Sequence, residues 1–192
     1  MGAVALTCSS ADQDTKARRP AAFQTLYNSA YRVEVASTTF GPGLPGVRAY
    51  HSSVRVDDIE YSFSIQGVTQ AIPWFSHSCY ANKPTVTYMG LTSMSGEEML
   101  AYLVTFFQRG SYDLLRKNCN SFADCALFCL LDLRLDPRCR GLEKIGHAAD
   151  QKAGIVQVIT DGGYRPNPLS DNFDVEKVVR HVNRVKADRG FR

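Results

Sequence analysis

The sequence lacks the long apolar runs, the basic leader segment and the closely paired cysteines that mark three large classes of protein. Its 192 residues contain no stretch of about 18 apolar residues, so we expect no stable membrane insertion. The first ten residues, MGAVALTCSS, have no basic segment ahead of a long apolar one, so we expect no secretory signal. No Cys-x-x-Cys pair occurs, which removes the commonest zinc and redox motif.

An excess of charge of one sign is also lacking. The chain has 22 Lys and Arg against 19 Asp and Glu, and its formal net charge is +3. This charge is too weak to indicate nucleic-acid binding, so we expect no nucleic-acid partner. The 44% hydrophobic content is instead typical of one soluble globular domain, and folding at this length buries about 70% of the unfolded chain's surface.

The six cysteines stand at irregular spacings. In the absence of a secretory signal they should be reduced thiols, which predicts a cytoplasmic or nuclear location. Cys125 and Cys129 could share one helix face and bind zinc, but they would need distant ligands such as Cys139 or His147. Because a buried cysteine usually behaves as a small apolar side chain, we predict no metal and no cofactor.

Alternation of apolar and polar residues predicts β-structure in the first half of the chain. Four strands are expected, at 31–35, 50–56, 60–65 and 85–89. A turn at Asp57-Asp58 should join the second and third strands into a hairpin, with Tyr61, Phe63 and Ile65 on one face. The glycines and prolines of 40–46 predict a loop, whose backbone could approach an extended peptide in a substrate cleft.

Capping residues and helical periodicity predict three helices in the second half. Ser95 and Glu98 form a capping box that begins the first helix, and Gly110 should end it. Asn118 is expected to cap the second helix. The third helix, at 174–186, is amphipathic, with valines on one face and basic residues elsewhere.

Cys119 has the sequence context of a reactive thiol. If Asn118 caps the helix, Cys119 lies in the first turn, where unpaired N–H groups and the helix dipole favour a thiolate. Arg116 and Lys117 add positive charge on the same side of the thiol. A buried core cysteine is the alternative interpretation of this position.

A cysteine nucleophile needs a base, and His51 is the best of the four histidines. It lies in the middle of a predicted strand, on the polar face of the hairpin, where its ring could project into a cleft. His77, His147 and His181 have no sequence context that directs them toward Cys119. A lone strand histidine is often structural, so the residues alone leave both roles open.

Two blocks of residues resemble the PPPDE family, the permuted papain-fold peptidases that include deSUMOylating isopeptidases. The first block is Tyr50-His-Ser-Ser-Val-Arg-Val56 with Glu60-Tyr-Ser-Phe63, and the second is Tyr112-Asp-Leu with Asn118-Cys-Asn-Ser-Phe122. In this family a strand histidine precedes the helix cysteine, the reverse of the order in papain. The resemblance covers about residues 31–146. It implies an α+β, permuted papain-like fold, in which a small antiparallel sheet or half-barrel packs against helices.

The resemblance implies that Cys119 is the nucleophile and His51 the general base and acid of an isopeptidase. Asn118 or Asn120 could orient a catalytic group or help to bind the oxyanion, although N-capping is the simpler role for Asn118. The implied partners are ubiquitin- or SUMO-conjugated proteins. A homodimer is a further expectation, since family members can place the cleft near a dimer interface.

The expected domain organisation has three parts. Residues 1–28 form a flexible arm, residues 29–146 a PPPDE-like thiol peptidase domain, and residues 147–192 a C-terminal extension with the amphipathic helix. Trp74 and Phe75 are expected in the core of the domain, with an exposed recognition patch as the alternative.

Two other classes of function stay open on the sequence. One is a permuted thiol acyltransferase or thioesterase acting on lipid or S-acyl substrates, because relatives of lecithin retinol acyltransferase also place a strand histidine before an Asn-Cys block. The other is an interaction module that keeps the fold without turnover. The lack of a hydrophobic anchor argues against the first class, and the intact His51 and Cys119 pair argues against the second.

Overall fold

The computed structural model describes residues 30–44, 47–141 and 162–188, which form an α+β fold, as expected. Five strands make one open antiparallel sheet in the order β4-β3-β2-β1-β5. The strands are β1 (Tyr31–Leu44), β2 (Val47–Val56), β3 (Ile59–Ser64), β4 (Gly67–Ala71) and β5 (Thr85–Thr92). The α-helices of these ranges are α1 (Gly96–Leu103), α2 (Cys119–Leu131) and α3 (Val175–Asp188).

The predicted loop at 40–46 is wrong for residues 40–44, which continue β1. The pairing of β1 with β2 shifts register between Phe40 and Leu44, and β5 pairs with β1 only as far as Ser37. This end of β1 therefore has a neighbouring strand on one side only. A proline and two glycines at 41–43 are tolerated there because an irregular, one-sided ladder needs fewer backbone N–H donors.

The predicted hairpin is confirmed, and a fourth strand follows it that the sequence analysis missed. Asp57 turns the hairpin with a left-handed φ of +49°. After β3 the chain reverses again at Gly67, where φ is +90°, and β4 pairs back on β3. Ile65 lies in this second turn and is 63% exposed, so its predicted place on the face of Tyr61 and Phe63 is wrong.

The capping box of α1 is confirmed, but the helix ends earlier than predicted. The Ser95 hydroxyl accepts a hydrogen bond from Glu98 N (3.2 Å), and the Glu98 carboxylate accepts one from Ser95 N (2.7 Å). The helix stops at Leu103 instead of Gly110, because tight turns follow it. Those turns direct Phe107 into the core, where its ring contacts the Phe63 ring edge-on at 5.1 Å between centroids.

The core lies between one face of the sheet and α2. Alternate residues of β2 and β3 point into it, including Val54, Tyr61 and Phe63, which are all buried. The predicted amphipathic helix, α3, completes this core. Its buried residues are Val175, Val178, Val179 and Val182, and the helix packs on α2.

Other parts of the predicted organisation lie outside the described residues. These parts are the arm at 1–28 and the beginning of the C-terminal extension at 147–161. Within the described ranges, no helix combines the length and apolar character needed to cross a membrane.

Candidate active site

Cys119 is the first residue of α2, and the Asn118 side chain holds this helix start in place. Asn118 Oδ1 accepts hydrogen bonds from the backbone N–H groups of Asn120 (2.8 Å) and Ser121 (3.1 Å), as predicted for an N-cap. Asn118 Nδ2 donates to Leu114 O at 2.8 Å. Both ends of the Asn118 amide therefore serve the helix start, and the buried Cys119 side chain is fixed beside it.

His51 lies where β2 and β3 separate. The pairing of these strands ends at Val54 and Tyr61, while β1 continues beside β2 and places Thr38 opposite His51. Residues 76–80 cross the space that this separation creates, and they cover the His51 ring, leaving the residue 8% exposed. His51 is therefore carried by a rigid strand at an opening in the sheet.

One hydrogen bond ties the start of α2 to β2 beside His51, and Tyr80 interacts with both His51 and Cys119. Asn120 Nδ2 donates to Tyr50 O at 2.9 Å, which ties the helix to the residue before His51. The Tyr80 ring packs against the His51 imidazole, with 5.3 Å between centroids. Tyr80 also interacts with Cys119. Burial, together with the Cys119 and Cys79 thiols, raises the pKa of Tyr80 to about 12.

Tyr112 is a second phenol that interacts with the thiol. Its hydroxyl forms a hydrogen bond with Cys119, and burial is the main cause of a pKa raised far above the usual tyrosine value. Both phenols beside Cys119 therefore keep their protons at neutral pH and can donate hydrogen bonds. The sequence analysis gave neither tyrosine a role, although Tyr112 begins the second of the two blocks.

The His51 imidazole is neutral at physiological pH. Burial, together with the adjacent His77 ring 4.6 Å away between centroids, lowers the pKa of His51 to about 4. A neutral imidazole has a lone pair that can accept a proton from a thiol. A thiol at a helix start and a buried neutral imidazole are the two groups that cysteine-based acyl transfer requires.

Comparison with known proteins agrees with this arrangement. A family model described as "PPPDE putative peptidase domain" matches residues 22–157, which is more than half of the chain. The chain belongs to the PPPDE peptidase family. Desumoylating isopeptidase 1 from Xenopus laevis is 30% identical over 88 residues, which make up 44% of this chain. Those residues make up 50% of the Xenopus protein, so the chain spans about half the length of this relative. The resemblance found in the sequence is confirmed.

His77 occupies a second buried position in this PPPDE domain. Its Nδ1 is 2.7 Å from Thr38 Oγ1, and its Nε2 is 2.9 Å from Ser53 Oγ and 3.7 Å from Glu60 Oε1. Burial lowers the pKa of His77, with Glu60 acting in the opposite direction. Both ring nitrogens are directed to these polar groups. The ring nevertheless supports His51 by direct contact.

Ser76 and Glu60 are the site residues of the PPPDE domain that the sequence analysis missed. Ser76 Oγ is 2.8 Å from His51 Nε2 and donates to Glu60 Oε1 at 2.6 Å. Ser76 N donates to Glu60 Oε2 at 3.2 Å, and Glu60 is only 1% exposed. One signal was available, since Glu60 and His51 lie on the same face of the predicted hairpin. Polar side chains on such a face can indicate a buried network.

The residues beside Ser76 differ from expectation. Phe75 is 62% exposed, so its predicted place in the core is wrong. Trp74 is half-buried, and the Arg55 guanidinium lies 5.6 Å from the centroid of its ring. The alternative interpretation, an exposed aromatic at the rim of the PPPDE site, therefore fits Phe75.

The cysteines considered for zinc lie in the core. Cys125 and Cys129 are buried on α2, and burial raises the pKa of the Cys129 thiol to about 12. His147 lies outside the described residues. Across 30–44, 47–141 and 162–188, no group of three or more His, Cys, Asp and Glu side chains could hold a metal ion.

Proposed function

We propose that this PPPDE domain is a cysteine isopeptidase that removes SUMO or ubiquitin from modified proteins. In this proposal Cys119 is the nucleophile and His51 is the general base and acid. The observation that supports this proposal most strongly is that the start of α2 lies beside the middle of β2. There the Tyr80 ring packs on His51 and also interacts with Cys119. SUMO is the first modifier to test, because the Xenopus relative is named a desumoylating isopeptidase.

The first half of the reaction forms an acyl-enzyme. The Cys119 thiol transfers its proton to the neutral His51 ring, and the sulfur attacks the carbonyl carbon of the isopeptide bond. The positive end of the α2 dipole stabilises negative charge on the sulfur as the proton leaves. The His51 imidazolium then donates its proton to the departing lysine amine, which leaves a thioester between Cys119 and the modifier.

The tetrahedral intermediate carries an oxyanion that needs hydrogen-bond donors. We assign this role to the backbone N–H of Cys119 and to the Tyr112 hydroxyl, whose raised pKa keeps its proton in place. Asn120 is assigned a positioning role, because its amide NH2 is held by Tyr50 O. Asn118 remains the cap of α2 and does not contact the substrate in this scheme.

The second half of the reaction releases the modifier. The neutral His51 ring removes a proton from a water molecule, and the resulting hydroxide attacks the thioester carbonyl carbon. The carbon–sulfur bond breaks, the Cys119 sulfur recovers a proton from His51, and the modifier leaves with a free carboxylate. The exposed Phe75 side chain stands at the rim, where it could contact the globular part of the modifier. A cytoplasmic or nuclear location and a homodimer stay predictions.

The direct test is intact mass after incubation with SUMO or ubiquitin that carries a C-terminal electrophile. We expect a covalent adduct with one modifier or both in the native protein and none with Cys119→Ala. Cys125→Ala is the matched control, because it removes another buried thiol of α2 and should keep the adduct.

Two other outcomes would contradict the proposal. Absence of an adduct together with fast iodoacetamide labelling of Cys119 would favour a thioesterase or acyltransferase acting on S-acyl or lipid substrates. Absence of both would favour an interaction module, because an activated thiol reacts quickly with small electrophiles.

A further inference from the structure

The geometry points to Ser76 and Glu60 as positioning residues that fix which nitrogen of His51 carries the hydrogen. In this assignment Nε2 is protonated and held by Ser76, and Nδ1 is the nitrogen that accepts the proton of Cys119. The inference rests on the proposed function, since it specifies how His51 acts as the base.

The direction of each hydrogen bond follows from the available donors. A carboxylate can only accept, so the Glu60 oxygens accept from Ser76 Oγ at 2.6 Å and from Ser76 N at 3.2 Å. The distance of 2.6 Å is typical of a hydroxyl that donates to a charged oxygen. A serine hydroxyl has one hydrogen, and Glu60 takes it. At its 2.8 Å contact with His51 Nε2, Ser76 Oγ must therefore be the acceptor.

This direction sets the tautomer of His51. If Ser76 Oγ accepts, then His51 Nε2 must carry the hydrogen, and the lone pair of the neutral ring is on Nδ1. His77 does not compete for either nitrogen of His51, because its own nitrogens are directed to the hydroxyls of Thr38 and Ser53. The base is thus prepared before the substrate arrives.

The buried carboxylate also matches the charge that develops during the reaction. His51 becomes a cation when it takes the proton of Cys119, and Glu60 lies two hydrogen bonds away through Ser76. Glu60 faces Arg55 across the sheet, but the Arg55 guanidinium donates to Glu34 at 3.0 Å. A carboxylate that is 1% exposed is costly to fold unless it is well bonded, and here Ser76 supplies two bonds.

The groups around the His51 ring come from three elements. Glu60 is on β3, Thr38 is on β1, and His77 and Tyr80 belong to the segment that covers the ring. Of these, the His77 and Tyr80 rings contact His51 at tilted angles, with 4.6 and 5.3 Å between centroids. Ser76 belongs to the same covering segment, and its hydroxyl forms the hydrogen bond with His51 Nε2.

The test is ¹⁵N NMR of the histidine rings in the full chain near neutral pH, with His51 assigned by its loss in His51→Gln. We expect hydrogen on Nε2 and none on Nδ1. Ser76→Ala removes the acceptor and should shift the signals toward a mixture of tautomers, whereas Ser76→Thr should restore the native pattern. Ser78→Ala is the matched control, because the Ser78 hydroxyl donates to Phe75 O in the same segment.

The same proteins are then assayed for release of the modifier. We expect Ser76→Ala to lower kcat by about 10- to 100-fold and to leave KM within about twofold. Ser76→Thr and Ser78→Ala should keep the native kcat. Hydrogen on Nδ1 in the native protein would overturn the inference, as would a Ser76→Ala protein with the native tautomer or the native kcat. Because the tautomer is measured without substrate, failure to cleave either modifier contradicts the isopeptidase proposal alone.

Discussion

Helices α1 and α2 both begin with a capping box, yet the two helix starts carry different charge. In α1 the Glu98 carboxylate accepts from Ser95 N, and Glu97 adds a second negative charge in the first turn. In α2 the reciprocal partner is the neutral Ser121 hydroxyl, and the first turn has no acidic residue. The positive end of the dipole is balanced within α1, whereas in α2 it remains available to a thiolate or an oxyanion.

The first residue of each helix differs for a packing reason. At Gly96 in α1, an added Cβ would lie 2.2 Å from the hydroxyl oxygen of the buried Tyr61, so only glycine fits. At the same position in α2, the Cys119 thiol interacts with Tyr80 and Tyr112. Capping chemistry alone therefore does not identify a nucleophile. The charge of the first turn and the groups opposite it make the difference.

Removing the thiol should have the largest effect. We expect Cys119→Ala to lower kcat/KM for modifier release by at least about 10³-fold, while the free energy of unfolding changes by no more than about 1 kcal/mol. Rates of release and thermal melts of both proteins measure this. Cys125→Ala, on the same helix, should keep its activity. A Cys119→Ala protein with native turnover would remove the distinction between the two helix starts.

The buried His51 ring should make folding sensitive to acid. His51 has a pKa of about 4 in the folded chain and 6.5 as its ordinary value, so the unfolded chain binds the proton more readily. Stability should be constant above pH 6.5 and should fall as the pH drops toward 4, by up to about 3 kcal/mol from His51. Urea melts over this range should show a smaller loss for His51→Gln. An unchanged loss in that variant would contradict the assignment.

The packing at the start of α1 should be intolerant of a side chain. We expect Gly96→Ala to reduce the free energy of unfolding by about 2 kcal/mol, because the methyl group and the rigid Tyr61 ring cannot both keep their places. Activity per folded molecule should not change, because the crowded contact is with Tyr61 on the core face of β3, whereas Glu60 lies on the other face. Chemical denaturation with a parallel activity assay measures both. If Gly96→Ala had the same free energy of unfolding as the native protein, the Tyr61 ring would have to move aside without cost.

Loss of the two caps should cost similar stability and differ in activity. Ser95→Ala and Asn118→Ala each remove the side-chain acceptor for the first backbone N–H groups of a helix. We expect each substitution to lower the free energy of unfolding by about 1 kcal/mol. Only Asn118→Ala should slow iodoacetamide labelling of Cys119, because the cap of α2 positions the thiol. Equal labelling rates in the two variants would show that capping and reactivity are independent.

Much of the local structure could be predicted because it depends on neighbours in sequence. The Ser95 and Glu98 box, the Asn118 cap and the turn at Asp57 each follow from three or four adjacent residues, and the structure has all three. The errors occur where distant contacts decide. The early end of α1 follows from the packing of Phe107 against Phe63, which no helical pattern encodes.

The polar network around His51 could not be predicted for the same reason. Ser76 and His77 belong to one segment and Glu60 to β3, and each residue alone is typical of a surface position. Glu60 and His77 are buried and Ser76 is half-buried, because the pairing of β2 with β3 ends at Val54 and Tyr61 and the segment after β4 crosses the opening. The nucleophile and the base were proposed from their local context, whereas their supporting groups emerged only from the fold.

The packing of α3 on α2 has a consequence for the order in which the site matures during synthesis. Residues 162–188 join the domain through Tyr164 and Asn167, which bond to Asp113, and through the valines that complete the core. A ribosome makes His51 and Cys119 well before it makes these residues. The nascent chain thus holds both reactive groups while α2 still lacks one of its supports. We expect the thiol to reach its final surroundings only after the segment at 162–188 has left the exit tunnel.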